Sequence, residues 1–217
     1  MTMTAAGPAP AAVLPRPSTL DVLQVLYQRI LRVDPEHPDD PERDRFLLSK
    51  GHAPSAYYRV LAERGFFPAH WLDTIGAAGS RLGDHPDRRL VPGVEIGSGS
   101  LGHGLGLGVG TALGLRAQGL LNPRVYVLLG DAELDEGSNH EAIAYAGATR
   151  LGSVTAVVID NQSATHGWPG GIASRFTVHG WSADTVDGRD HEALETALRR
   201  TDIHRPHVVV AVVEPKE

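Results

Sequence analysis

Apolar positions along the chain recur with two different periods, and each change of period marks an element. Leu20, Leu23, Tyr27, Ile30 and Leu31 follow helical spacing from Ser18, and Pro35 ends the run. Ser18 and Asp21 stand at capping-box spacing at its start. A charged linker, DPEHPDDPERD, leads to the short apolar run at residues 45–49, which predicts a strand. The turn SKGHAPS follows, then a second helix over 56–63 closed by Gly65. In the second half, 125–129 and 154–159 are continuous apolar runs of the kind buried on both faces of a parallel sheet. Between them Ser138 and Glu141 form a capping box for a helix to Arg150, with Gly152 beyond it. Residues 180–186 predict a further strand, 191–200 a helix and 208–213 a final strand.

This alternation predicts an α/β domain over 18–217, with a mostly parallel sheet flanked by helices. Residues 1–17, rich in proline and alanine, predict a flexible tail. Residues 79–99 carry many turn residues and little periodicity, so they predict a long loop, and long ordered loops are usually functional. The stretch SLGHGLGLGVGTALGLRAQG is apolar but glycine-rich. Each helical glycine costs about 1 kcal/mol relative to alanine. A helix there predicts close packing on every side, with neighbours approaching its backbone.

Composition narrows the function. At 41% hydrophobic and 21% charged, the 217 residues suit an ordinary soluble globular protein. A net charge of -6 argues against a nucleic-acid partner, which needs a basic face. No cysteine is present, so disulfides, thiolate zinc sites and cysteine nucleophiles are excluded. No apolar run is long enough to span a membrane, and the first residues lack the pattern of a signal peptide. The expectation is a cytoplasmic enzyme or binding protein.

The chemistry concentrates where apolar runs end. Asp131 follows one predicted strand and Asn161 the next, so in a parallel sheet both tips share one edge. A carboxylate and a carboxamide side by side offer hard oxygens for Mg²⁺, which also keeps water and phosphate ligands. The following helix start and loop amides offer N–H donors to an anion. The pair therefore predicts a Mg²⁺–diphosphate site. Taken singly, either residue is more simply a turn or cap residue.

Gly130-Asp131, a thirty-residue spacing, then Asp160-Asn161 resembles the thiamine-diphosphate signature of the transketolase family. The segments DRFLLSKGHAPSAYYRVLAERGFF, GSRLGDHPD, VPGVEIGSGSLGHGLGLGVGTALG and EGSNHEAIAYAGATRLG resemble further family blocks, in the family's order. The chain is similar to the N-terminal, diphosphate-binding subunit of a split transketolase. The resemblance implies that Asp131, Asn161 and the backbone carbonyl of Ser163 coordinate Mg²⁺, and that Gly130, Asp131 and Ala132 form the diphosphate motif. It places His52 on the diphosphate and His85 facing the reacting carbons. Gly99, Leu101 and Gly102 would pass beside the cofactor, with Leu101 on its thiazolium end. Glu136 would lie between two active sites, hydrogen-bonded across a subunit interface. Glu133 and Asp135 have no role in that pattern and are expected on a solvated or interface face.

The implied activity is transfer of a two-carbon ketol unit from a ketose donor to an acceptor. The glutamate that activates the cofactor's pyrimidine ring comes from a separate domain in this family. The chain is therefore expected to be inactive alone and to need a second subunit with the pyrimidine-binding domain, in a heterotetramer. Some positions depart from the family. Ala132 replaces the second glycine of the motif, though its N–H can still meet a phosphate if φ is negative. His103 stands where glutamine is usual, LPRPS replaces a Gly-His-x-Gly-Gly stretch, and the sequence ends without the KGKG tail. These differences suggest a specialised biosynthetic acceptor, or a catalytically degenerate subunit that only binds its partner.

Other motifs are weaker. Gly97-Ser98-Gly99-Ser100-Leu101-Gly102 matches G-x-G-x-x-G, but VPGVE before it is no central strand and no acid follows at the required distance. Asp131, Glu133 and Asp135 alternate like a calcium loop whose glycine and final glutamate are misplaced. No G-x-S-x-G elbow occurs. The histidines show no helical zinc pair, and His204 and His207 flank a proline in an expected loop.

Overall fold

The apolar runs assemble as one sheet in which every pairing is parallel. The computed structural model describes residues 18–52 and 54–215, and the tail expected over 1–17 lies outside the described residues. The strands are β1 (Arg45–Leu48), β2 (Val125–Gly130), β3 (Val154–Asp160), β4 (Ser182–Asp187) and β5 (His207–Val212). Their order across the sheet is β1-β2-β3-β5-β4. β2 is buried along its whole length because helices cover both faces of the sheet. One core packs Phe46, Leu48, Tyr126, Leu128, Val157 and Ile159 against helices on one face. The other packs Leu47, Val127, Leu129, Ala156 and Val158 against helices on the opposite face. The sheet is thus the middle of three layers.

Helix α1 (Leu20–Val25) continues through a wider π-helical turn at Leu26–Ile30 and lies with α2 (Pro54–Glu63) and α6 (His191–Arg199) on the first face. Helices α3 (His103–Ala117), α4 (Gly137–Ala148) and α5 (Gly171–Thr177) cover the second. The sequence pattern missed α5 and the 3₁₀ turn at Ala69–Thr74, both too short to establish a period. The expected long loop over 79–99 contains no helix or strand.

Neither expected capping box forms. Thr19 precedes α1 with no side-chain cap bond. Asp21 is instead fully buried, with Arg189 Nη1 and His191 Nε2 each 2.7 Å from its carboxylate. A buried carboxylate is retained only with such partners. Glu136 precedes α4, also without a side-chain cap bond, and the Ser138 hydroxyl donates to the Gly102 carbonyl at 2.8 Å. At α6 a side chain does cap the helix, Asp190 accepting from the Glu192 and Ala193 N–H groups.

α3 is a helix, but it is packed on one side only. A Cβ on Gly104 would lie 2.2 Å from Ser49 Cβ, and one on Gly108 would lie 2.4 Å from Val127 Cγ2. Those glycines let the helix settle against β1 and β2. Gly106, Gly110 and Gly114 meet nothing, and Leu107 is 48% exposed. The expectation of close packing on every side is therefore corrected.

β4 forms a free edge, with Thr185 and Asp187 exposed and Asp184 half-buried. His207, expected in a loop, opens β5 and is buried. It shares a 2.9 Å hydrogen bond with Ser182 Oγ, while its Nε2 has no hydrogen-bond partner and Asp184 stands 3.4 Å away. Burial pushes its pKa down, against an upward pull from Asp184.

This packing sets two expected outcomes. Gly108→Ala lowers the free energy of unfolding by about 1–3 kcal/mol through overpacking, whereas Gly106→Ala raises it by up to about 1 kcal/mol. Urea midpoints measure both, and shifts in the same direction would contradict the one-sided packing. The second concerns pH. With a depressed folded pKa, His207 stays neutral in the native chain while the unfolded chain takes up a proton, so stability falls as pH drops through about 6.5. His207→Gln should flatten that fall between pH 7 and 5, and an unchanged slope would exclude His207 as its source.

Candidate functional site

The C-terminal tips of β1, β2 and β3 stand side by side, and each releases polar residues into the same edge. β1 leads to Ser49, Lys50 and His52, β2 to Asp131 and β3 to Asn161. The Asp131 N–H donates to the Ile159 carbonyl at 3.0 Å, so the ladder between β2 and β3 continues to the acid itself. Both predicted tip residues therefore lie on one edge, as the spacing required.

Asp131 is buried at 2% exposure. Its Oδ2 accepts from the Ser163 N–H at 2.6 Å and the Ala164 N–H at 3.2 Å. Its Oδ1 accepts from the Ser163 hydroxyl at 2.6 Å and the Ala132 N–H at 2.9 Å. Gln162, with φ of 56°, turns the backbone so that Ser163 faces back to the acid. Asn161 is also buried, and its Oδ1 has no hydrogen-bond partner among the described residues. An orphaned carboxamide oxygen and a buried carboxylate on adjoining strand tips have the donor chemistry of a hard-cation site. Among the described residues no group of three or more His, Cys, Asp or Glu is placed to hold a metal ion. The two-side-chain pattern suits a cation that keeps other oxygen ligands. The Ala132 N–H, expected to be open to phosphate, is engaged by Asp131 in a 3₁₀ turn (Ala132–Asp135).

Glu133 is not on a solvated face, which corrects the expectation for it. It is 2% exposed, and its carboxylate is surrounded by donors from three separate connections. Oε1 accepts from the Ser49 hydroxyl and from the Gly102 N–H at 3.0 Å, and Oε2 accepts from the Gly130 N–H at 3.2 Å. Burial raises its pKa, while the bonds from Ser49, Gly102 and Gly130 and the charge of Lys50 oppose that rise. Asn139 of α4 also donates to the Glu133 carbonyl at 2.6 Å. Sequence reasoning missed this residue because its partners lie 84, 31 and 3 residues away.

Asp135 is not on a solvated face of this chain. Its side chain is 13% exposed and turns inward to Thr165, His166 and Arg175.

The histidines come together: the rings of His52 and His85 pack edge to face with centroids 5.0 Å apart. A Cβ on Gly99 would lie 3.4 Å from the His85 ring, and one on Gly51 would lie 3.0 Å from Ser98 Oγ. Ser98, which sequence reasoning passed over, has a buried hydroxyl without a hydrogen-bond partner. A cavity of about 330 Å³ runs along Ser49, Gly97, Ser98, Gly99 and His103. Gly102 has φ of 81°, and a Cβ there would collide with Glu136 Cβ at 2.6 Å. Leu101 and Glu136 are exposed beside it.

Comparison with known proteins yields one family. Residues 10–213 match the family model described as transketolase, thiamine diphosphate binding domain. A protein named ferredoxin fas2 from Rhodococcoides fascians is 56% identical over 90% of this chain, which spans 64% of that relative's length. An apulose-4-phosphate transketolase subunit from Phocaeicola vulgatus is 36% identical, over 89% of this chain and 71% of its own. Among solved structures, transketolase from Leishmania mexicana superposes with a TM-score of 0.79 at 26% identity, covering 88% of this chain and 31% of that one.

The network around Glu133 predicts a coupled response. Glu133→Ala strands three donors and lowers the unfolding free energy by about 2–4 kcal/mol. Ser49→Ala lowers it less, and the double substitution falls short of the sum. Denaturant titration of the four proteins completes the cycle, and strict additivity would show that the two side chains do not interact.

Proposed function

The chain belongs to the transketolase thiamine-diphosphate-binding domain family, and from that premise we propose that it is the diphosphate-binding subunit of a two-subunit, Mg²⁺-dependent transketolase. The observation that carries this reading is the buried Asn161 Oδ1, unpartnered beside Asp131 on adjoining strand tips. Asp131, Asn161 and the Ser163 carbonyl would hold Mg²⁺, and the metal would hold the diphosphate. When bound, thiamine diphosphate supplies the nucleophilic carbon and electron sink that carbon–carbon cleavage needs. The chain's own part is placement. His52 would hydrogen-bond the diphosphate, and His85, packed on His52 and facing Gly99, would hydrogen-bond substrate oxygens. Gly99, Leu101 and Gly102 line the cofactor's path, and the Gly102 collision with Glu136 explains why no larger residue suits that turn.

The reaction class is ketol transfer from a ketose donor to an acceptor, and the relative named for apulose 4-phosphate supports a sugar-derived substrate. The departures from the family pattern at Ala132 and His103 are what favour a specialised acceptor. A second subunit with the pyrimidine-binding domain is required, and relatives named as subunits support it. So does the surface: Leu101, Leu107 and Tyr145 are exposed large apolar residues on and beside α3 and α4. Among the described residues no helix is long and apolar enough to cross a membrane.

A partner-binding subunit without turnover is the second reading, favoured by the Ala132 N–H being tied to Asp131. Calorimetric titration with thiamine diphosphate and Mg²⁺, of the chain alone and with its partner, separates the two. The enzyme reading expects binding only, or far better, in the complex. Asp131→Ala and Asn161→Ala should each weaken it more than about 100-fold. Cofactor binding that ignores both substitutions, or a complex indifferent to cofactor, overturns the enzyme reading.

A further inference from the structure

The connection after β3 is gripped at three successive points. Asp131 accepts from Ser163 and Ala164. Asp135 Oδ2 accepts from the Thr165 hydroxyl and the His166 N–H, each at 3.3 Å. Arg175 of α5 lies with its guanidinium carbon 4.8 Å from the Trp168 ring centre and donates to His140 Nε2 at 3.1 Å. Two acids four residues apart on one connection thus hold consecutive residue pairs of the next.

The two grips are not equivalent. All the loop donors that Asp131 accepts from compete with a cation for the same oxygens. A metal at Asp131 and Asn161 would take up acceptor capacity that now holds Ser163 and Ala164. Asp135 faces no such competition. Its Oδ1 is buried without a hydrogen bond, 3.8 Å from Arg175 Nη2, and the Arg175 Nε is likewise buried and unpartnered. Arg175 is 6% exposed, and burial lowers its pKa against the pull of Asp135. This is a charged pair kept inside the protein although its own bonding is incomplete. Its stronger effect is on the loop: the carboxylate anchors residues 165 and 166, and the guanidinium presses on Trp168.

We infer that Asp135 and Arg175 are positioning residues that hold the 162–168 loop while Asp131 exchanges its loop bonds for the metal. The inference rests on the reading of Asp131, Asn161 and Ser163 as metal ligands. Without the Asp135 clasp, Ser163 loses its register on the cation and affinity falls although every ligand remains. Asp135→Asn retains an acceptor for Thr165 and His166, so it should keep most of the function that Asp135→Ala loses.

The test uses the full chain with its partner and Mn²⁺ as the probe, since manganese accepts the same oxygen set as magnesium. Hydrogen exchange over 162–168 is measured first without metal, then Mn²⁺ affinity by electron paramagnetic resonance. For Asp135→Ala the expectation is faster exchange in this loop alone and Mn²⁺ affinity weakened about tenfold or more. Asp135→Asn should restore most of both. Unchanged loop exchange in Asp135→Ala overturns the clasp, and faster exchange with unchanged Mn²⁺ affinity overturns its positioning role. Failure of the wild-type complex to bind Mn²⁺ instead removes the metal reading, and with it the positioning claim, while the exchange arm still decides whether Asp135 holds the loop.

Discussion

The edge of this sheet is organised around the enclosed carboxylate of Glu133. Glu133 accepts from Ser49 after β1, Gly102 before α3 and Gly130 at the end of β2. An isolated carboxylate at 2% exposure would be neutral or absent. Here it also sits at the start of α3, where unpaired helix N–H groups favour negative charge. The Ser49 hydroxyl extends the arrangement by accepting from the Gly104 N–H at 3.0 Å. Three segments distant in sequence therefore acquire one relative position. Leu101 and Asp131 adjoin two of them in the chain, and His52 lies three residues beyond Ser49.

Such an arrangement separates acids whose partners lie within the fold from an oxygen left open. Glu133 has its acceptors filled by the protein, and Asp135 is occupied with the next loop. The Asn161 oxygen is left without a partner, beside an Asp131 whose donors are groups of a loop. Four acids in six residues thus divide among three tasks. Glu136 alone of the four is exposed, beside the Gly102 turn.

The sheet was legible because its strands are pure apolar runs ended by turn residues, and a parallel sheet buried on both faces imposes that pattern. The Asp131 and Asn161 tips were legible for a related reason, since strand polarity alone places them on one edge. What failed was any inference that depended on side-chain direction. Ser138 has the right spacing for a cap, yet Gly102 offers its hydroxyl a better acceptor. Ser18 and Asp21 failed because Arg189 and His191 approach from residues far along the chain. Glycine spacing in α3 told of close approach but not from which side. Gly104 and Gly108 face the sheet, while Gly106 and Gly110 look alike in sequence and face nothing.

The open margin at β4 has a consequence for how molecules of this protein meet. A strand with unpaired backbone groups is a template for another strand, and sheets that grow this way become fibrils. β4 carries the exposed Asp187, so a second copy offered in register would bring a like charge alongside it, while Asp184 is already paired with Arg200 at 2.7 Å. The opposite margin, β1, is four residues long and offers little length to copy. Among the described residues, growth of the sheet by adding strands is thus disfavoured at both margins.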